Sequence, residues 1–131
     1  MNLSVETRLG EELGRYLDLA TSQIKLTAAN MANIDTPGYR AVGMDFEAEM
    51  RGAMQEVDGE EFVEGPGGAL NGHRQPRVRQ LDGLVSRPDG DDVSMDRESL
   101  ALAEAQLKFK TGVALLKVQN QMVLDAIHAD K

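Results

Sequence analysis

All four prolines of this 131-residue chain (Pro37, Pro66, Pro76 and Pro88) and all but three of its 13 glycines lie between Pro37 and Gly90. Proline cannot continue a helix and glycine weakens one, so the chain divides into two helix-permissive ends and a punctuated middle. In the head, Leu13, Leu17, Ala20, Ile24, Thr27 and Met31 recur at alternating spacings of four and three. This heptad-like seam predicts a helix from about Val5 to Asn33. Gly10 and Gly14 each weaken its first turns by about 1 kcal/mol relative to Ala, so that end is expected to fray when unpartnered.

In the tail, Asp96 is expected to cap the amides two or three residues on, with Met95 and Leu100 closing a hydrophobic staple around it. From there Leu100, Ala103, Leu107, Thr111, Ala114, Val118 and Met122 fall on one helical stripe, which Leu102, Phe109, Val113, Leu116, Val123 and Ile127 widen. About thirty residues at 1.5 Å rise give a helix roughly 45 Å long, more than a small globule needs to close its own core. The expected fold class is mainly α. Two long terminal helices form a coiled-coil-like pair, joined by a largely irregular Gly/Pro-rich middle with little β. The expected segments are 1–40 (helix and turn), 41–94 (irregular and flexible) and 95–131 (helix).

The middle is uneven in charge. Residues 41–64 carry eight acids and one base, residues 72–88 four Arg and one Asp, and residues 89–98 five acids and one Arg. Such blocks read as solvated loops. Glu64-Gly65-Pro66-Gly67-Gly68-Ala69 is flexible-linker chemistry, while Arg77 to Leu81 and Leu84-Val85 are candidates for short extended pieces.

Composition excludes several classes of function. The formal net charge is −8, against nucleic acid and anionic lipid, both of which need clustered Lys and Arg. The expected partner is protein. Aromatics are 4% of the chain and Trp is absent, so a core must come from Leu, Ala, Val, Ile and Met, which suits packed helices. With no Cys there are no disulfides, thiolate metal sites or thiol nucleophiles. No run of 18 apolar residues occurs, and the N-terminal stretch has neither the basic nor the apolar region of a cleaved signal peptide.

Enzyme chemistry lacks parts. His73 and His128 have no second His or Cys at ligand spacing. A calcium loop starting at Asp89 would put Val93, Ser94 and Leu100 at its fifth, sixth and twelfth positions, where ligands and a glycine belong. Gly65-Pro66-Gly67-Gly68 lacks the Lys-Ser/Thr of a phosphate cradle, and there is no Gly-x-Ser-x-Gly elbow. Carboxylates are plentiful, but none sits where the sequence would bury it and raise its pKa. No catalytic residue, metal, cofactor or small-molecule substrate is expected.

The informative stretch is Ala28-Ala29-Asn30-Met31-Ala32-Asn33-Ile34-Asp35-Thr36-Pro37-Gly38-Tyr39. As geometry it is a helix stop followed by a rigid reversal: Asn33 tolerates the conformation that ends helices, and Pro37-Gly38 suit the centre of a type II turn. Asn30 and Asn33 share a helix face and can tie the turn to the helix. As a string it resembles the signature of the flagellar rod and hook family, Ala-Asn-x-Ala-Asn-x-x-Thr-Pro-Gly-Tyr, through Ala29, Asn30, Ala32, Asn33, Thr36, Pro37, Gly38 and Tyr39. Asp35, the Asp45-Phe46 pair and the run Asp89 to Glu98 are similar to the small proximal rod members of that family. Residues 51–88 carry no such resemblance.

The resemblance implies a structural subunit of the bacterial flagellar basal body, in the proximal rod, self-assembling through its terminal helices and passing torque outward. It implies as partners copies of itself, other rod proteins, the membrane (MS) ring with its rod adaptor, and the flagellar type III export apparatus. It implies export to the periplasmic space without a cleaved signal. The assembly surface would be the two seams, Leu13, Leu17, Ile24 and Met31 in the head and Leu107, Ala114, Val118 and Met122 in the tail. The competing class, a cytoplasmic helical adaptor or export chaperone, accounts for a small acidic helical chain but not for the Thr-Pro-Gly-Tyr string.

Overall fold

The structure, a computed structural model, describes residues 3–59, 69–70 and 73–129. A first helix, α1 (Leu3–Ala32), is followed by a two-residue strand, β1 (Val42–Gly43), and a second helix, α2 (Phe46–Val57). Three more short strands, β2 (Ala69–Leu70), β3 (His73–Arg74) and β4 (Arg79–Gln80), precede the long helix α3 (Met95–Ala129). Two antiparallel ribbons result, β1 with β4 and β2 with β3. The mainly helical fold with little β is the one the sequence predicts.

Helices α1 and α3 lie antiparallel. Gly10 faces Gln119, Leu17 faces Gly112, and Asn30 faces Glu98, so numbers rise along one helix as they fall along the other. The buried positions of α3 are Glu98, Ala105, Gly112 and Gln119, spaced by seven, as a coiled-coil seam requires. The small Ala105 and Gly112 among them let the two helices approach closely. A Cβ added at Gly112 would lie 2.7 Å from Leu17 Cδ2 and 2.9 Å from the Tyr16 ring, so this glycine marks the closest approach. On α1 the buried side chains include Leu13, Leu19, Ala20, Thr27 and Asn30.

Helix α2 is a correction to the expectation of an irregular 41–94 segment. Asp45 caps it, its side chain accepting from the Ala48 amide at 3.0 Å, and Glu47 and Glu49 favour its positive end. The Gly and acid content of this stretch hid a short amphipathic pattern that gains its stability by packing on α1. Phe46 meets Tyr16 edge to face at 5.5 Å between centroids, with Lys108 Nζ 4.1 Å above the Phe46 ring. At the other end Arg8 pairs with Asp58, and Arg15 with Glu56 at 3.6 Å.

Two further expectations change. Helix α3 begins at Met95, and the Glu98 amide donates to the Ser94 carbonyl at 2.9 Å, so Ser94 holds the cap position and Asp96 sits in the first turn. With Ser94 at the cap, Met95 is the first helical residue and no longer precedes the cap as the staple requires, and Met95 and Leu100 are both exposed. Of the two extended pieces, Arg79–Gln80 is a strand and Leu84-Val85 is not. The linker residues 64–68 and the side chain of His73 lie outside the described residues, and His128 is exposed.

Candidate assembly interface

The motif residues converge on one buried side chain. Asn30, 1% exposed, uses all the hydrogen-bonding capacity of its amide. Its Nδ2 donates to the Val42 carbonyl at 2.9 Å and to Glu98 Oε2 at 3.0 Å. Its Oδ1 accepts from the Val42 amide at 2.9 Å and from the Tyr39 hydroxyl at 3.2 Å. Asn30 therefore stands beside β1 as a strand residue would, while holding the start of α3 and the ring delivered by the turn. Asn33 works more locally: its Nδ2 donates back to the Ala29 carbonyl at 2.8 Å, and Thr36 Oγ1 donates to its Oδ1 at 3.1 Å.

The reversal has the expected geometry. Gly38 has φ +74°, and the Tyr39 amide donates to the Thr36 carbonyl at 3.2 Å, the closing bond of a type II turn with Pro37 and Gly38 at its centre. The Gly38 amide then donates to the Asp89 carbonyl at 2.8 Å, which ties the turn to the segment ahead of α3. Gly90, at φ +86°, lies against it, since a Cβ there would be 3.2 Å from Gly38 Cα. Within the motif Ala29, Ala32, Thr36, Pro37 and Gly38 are exposed, and Asn33 and Tyr39 half-buried.

Around this clasp the structure buries carboxylates that the sequence reading left in solvent. Asp91, Asp92 and Glu98 are all 5% exposed or less. Asp92 Oδ1 accepts from the Ala41 amide at 2.6 Å, Asp91 Oδ1 from the Val93 amide at 2.7 Å, and Glu98 Oε1 from Arg97 at 3.1 Å. Arg87 lies 3.2 Å from Asp91 Oδ2 and also donates to the Ile34 carbonyl at the end of α1. Each of these three carboxylates is thus met by a backbone donor or a guanidinium, which offsets the cost of burying it. Burial, and then the negative charges of Glu98, Asp91 and Asp92, push the Tyr39 hydroxyl above its ordinary pKa. A run of alternating acids carries no periodic signal of burial, so only the resemblance over Asp89 to Glu98 pointed here.

The two seams have different fates. In α1, Leu13 is buried and Leu17, Ile24 and Met31 are half-buried, so much of the head seam is used inside the chain. In α3 the stripe Leu107, Ala114, Val118 and Met122 faces solvent, with Leu107 67% and Met122 63% exposed. Leu100 and Leu115 lie beside this stripe and are also exposed, while the exposed Leu124 and Ile127 point to other sides of the helix. Exposed apolar side chains aligned along one helix are the kind of surface that protein-protein contacts use. No described helix is long and apolar enough to cross a membrane.

Comparison with known proteins gives the family. The flagellar basal body rod protein FlgB of Salmonella typhimurium is 32% identical over 121 residues, covering 85% of this chain and 86% of its own length. The chain belongs to the FlgB family. The FlgB of Cereibacter sphaeroides is 30% identical over 132 aligned positions, covering 95% of this chain and 99% of the relative, and that of Escherichia coli K12 is 29% identical over 124. No family-level sequence profile matches the chain. Membership makes it a structural component of the flagellar basal body rod.

Proposed function

We propose that the chain is a proximal rod subunit that self-assembles through its terminal helices and transmits torque along the rod, and that flagellum assembly and motility depend on it. The observation that carries this reading is the exposed stripe Leu107, Ala114, Val118 and Met122, an apolar face that folding of the single chain leaves uncovered. Burying each such leucine or methionine against a neighbour contributes about 1.5–3 kcal/mol. The core among the described residues is thin, with Leu13, Leu19, Ala20, Ala41, Val93 and Ala105 as its buried apolar members. Assembly then completes folding by mass action, since partners bind only the folded form. The partners in this reading are copies of the chain, other rod proteins, the membrane ring and its rod adaptor. Delivery to the periplasmic space is by the flagellar type III export apparatus.

Many shallow helix-helix contacts suit torque transfer, because load spreads over the length of α3 instead of one joint. The clasp at Asn30 fixes the register of the two helices, so each subunit presents its outer face at the same angle to the next. The deciding experiment is recovery of the tagged chain with detergent-extracted basal bodies. Presence in the rod fraction is expected. Recovery from the cytosol alone would overturn the reading in favour of an adaptor or export chaperone.

A further inference from the structure

The side chains of Arg77 and Arg79 are exposed and, like that of Arg51 on α2, make no ion pair or hydrogen bond among the described residues, whereas Arg8, Arg15, Arg40, Arg87 and Arg97 are each paired with a carboxylate. Both lie on one face of the extended stretch that forms β4, with Val78, 53% exposed, between them. Strand β4 pairs with β1 on one side only, Gly43 opposite Arg79 and Val42 opposite Gln80. The far side of β1 is closed by Asn30, which takes both the Val42 amide and carbonyl. The far side of β4 is open among the described residues, and strand alternation turns the Gln80 N–H and C=O toward it.

This cationic edge belongs to a chain of net charge −8, in which residues 41–64 alone contribute −7. Two copies approaching at random repel, and contact requires opposite signs to meet locally. Within each copy the two signs adjoin: Gly43 lies beside Arg79, and Asp45 and Glu47 follow it at exposed positions. We propose that the Arg77–Arg79 edge of β4 docks the acid-rich α2 region of a second copy, with Glu47 in the contact. This deepens the assembly reading above and rests on it: the apolar stripe of α3 supplies contact area, and the charged edge selects the orientation of the incoming copy.

The test is sedimentation velocity of the purified full chain across a concentration series, at about 50 mM and about 500 mM NaCl, which moves the screening length from well above to near contact distance. Self-association at low salt is expected, weakened about tenfold or more both at high salt and in Arg77→Glu/Arg79→Glu. Mixing that variant with a Glu47→Arg copy is expected to restore association, since the reversed charges meet again. That rescue separates a contact from a folding defect. Association that is lost in Leu107→Asp/Met122→Asp but indifferent to salt and to the arginine variant overturns this proposal and leaves the α3 reading standing. Loss in the arginine variant alone does the reverse. A chain monomeric throughout, or one that sediments only with phosphatidylglycerol vesicles, overturns the second-copy contact.

Discussion

The two faces of α3 are built from different materials. The inner face carries Glu98, Ala105, Gly112 and Gln119, small or polar, while the outer carries Leu100, Leu107, Val118 and Met122. In a finished globule the large apolar residues would turn inward, because their burial is the main stabilising term. Here close approach of two backbones, and a saturated polar clasp, hold the hairpin together. Leu100, Leu107, Val118 and Met122 stay exposed on the outer side.

That contrast can be broken from the inner side first. Asn30→Ala removes four hydrogen bonds at once and leaves Val42, Tyr39 and Glu98 with unmet buried groups. It should cost about 3 kcal/mol or more in chemical denaturation. A loss under 1 kcal/mol would show that water replaces the amide and that the clasp is ornamental. Next in size is Gly112→Val, which forces Leu17 and Tyr16 from the closest contact of the pair; about 1–3 kcal/mol of destabilisation is expected in the same assay.

A pH titration sharpens the polar end of the comparison. Tyr39 keeps its proton to higher pH in the folded chain than in the unfolded one, whose tyrosines titrate near 10.0. Its contribution is therefore complete below that pH and falls as pH climbs through the raised folded value. Denaturation midpoints should drop above pH 10 in the parent. They should drop less in Tyr39→Phe, and equal slopes would refute the linkage.

On the outer face, Leu107→Ser with Met122→Ser should shift monomer stability by no more than about 0.5 kcal/mol for each exposed site. The same pair should abolish swimming when it replaces the parent gene. A variant that swims normally would remove the functional meaning of the stripe. The smallest effect is expected at Asp96, which stands in the first turn of α3 and not at its cap: Asp96→Ala should cost about 0.3–1 kcal/mol of helix stability, through the macrodipole alone.

Much of this was legible in the chain. The confinement of proline to residues 37–88 set two long helices, because both propensity and periodicity are local properties. Pro37-Gly38 specified the turn for the same reason, since a positive φ is a demand on one residue. The outer stripe was also visible as a pattern. Which way it faced was not, because α3 carries apolar residues on more than one side, so periodicity alone does not say which stripe meets α1. Helix α2 was missed where glycine and acid diluted a pattern that only contact with α1 makes stable.

What the sequence by itself determined is the helical class, the position of the reversal and the family, all fixed by residues near one another in the chain. What only the tertiary structure decided is the pairing of Asn30 with Glu98, 68 residues apart, and with it the burial of Asp91 and Asp92. It also decided that glycine and alanine face inward on α3. Those outcomes depend on the distance between two helices and on which polar groups meet when water is expelled, and no local pattern encodes either.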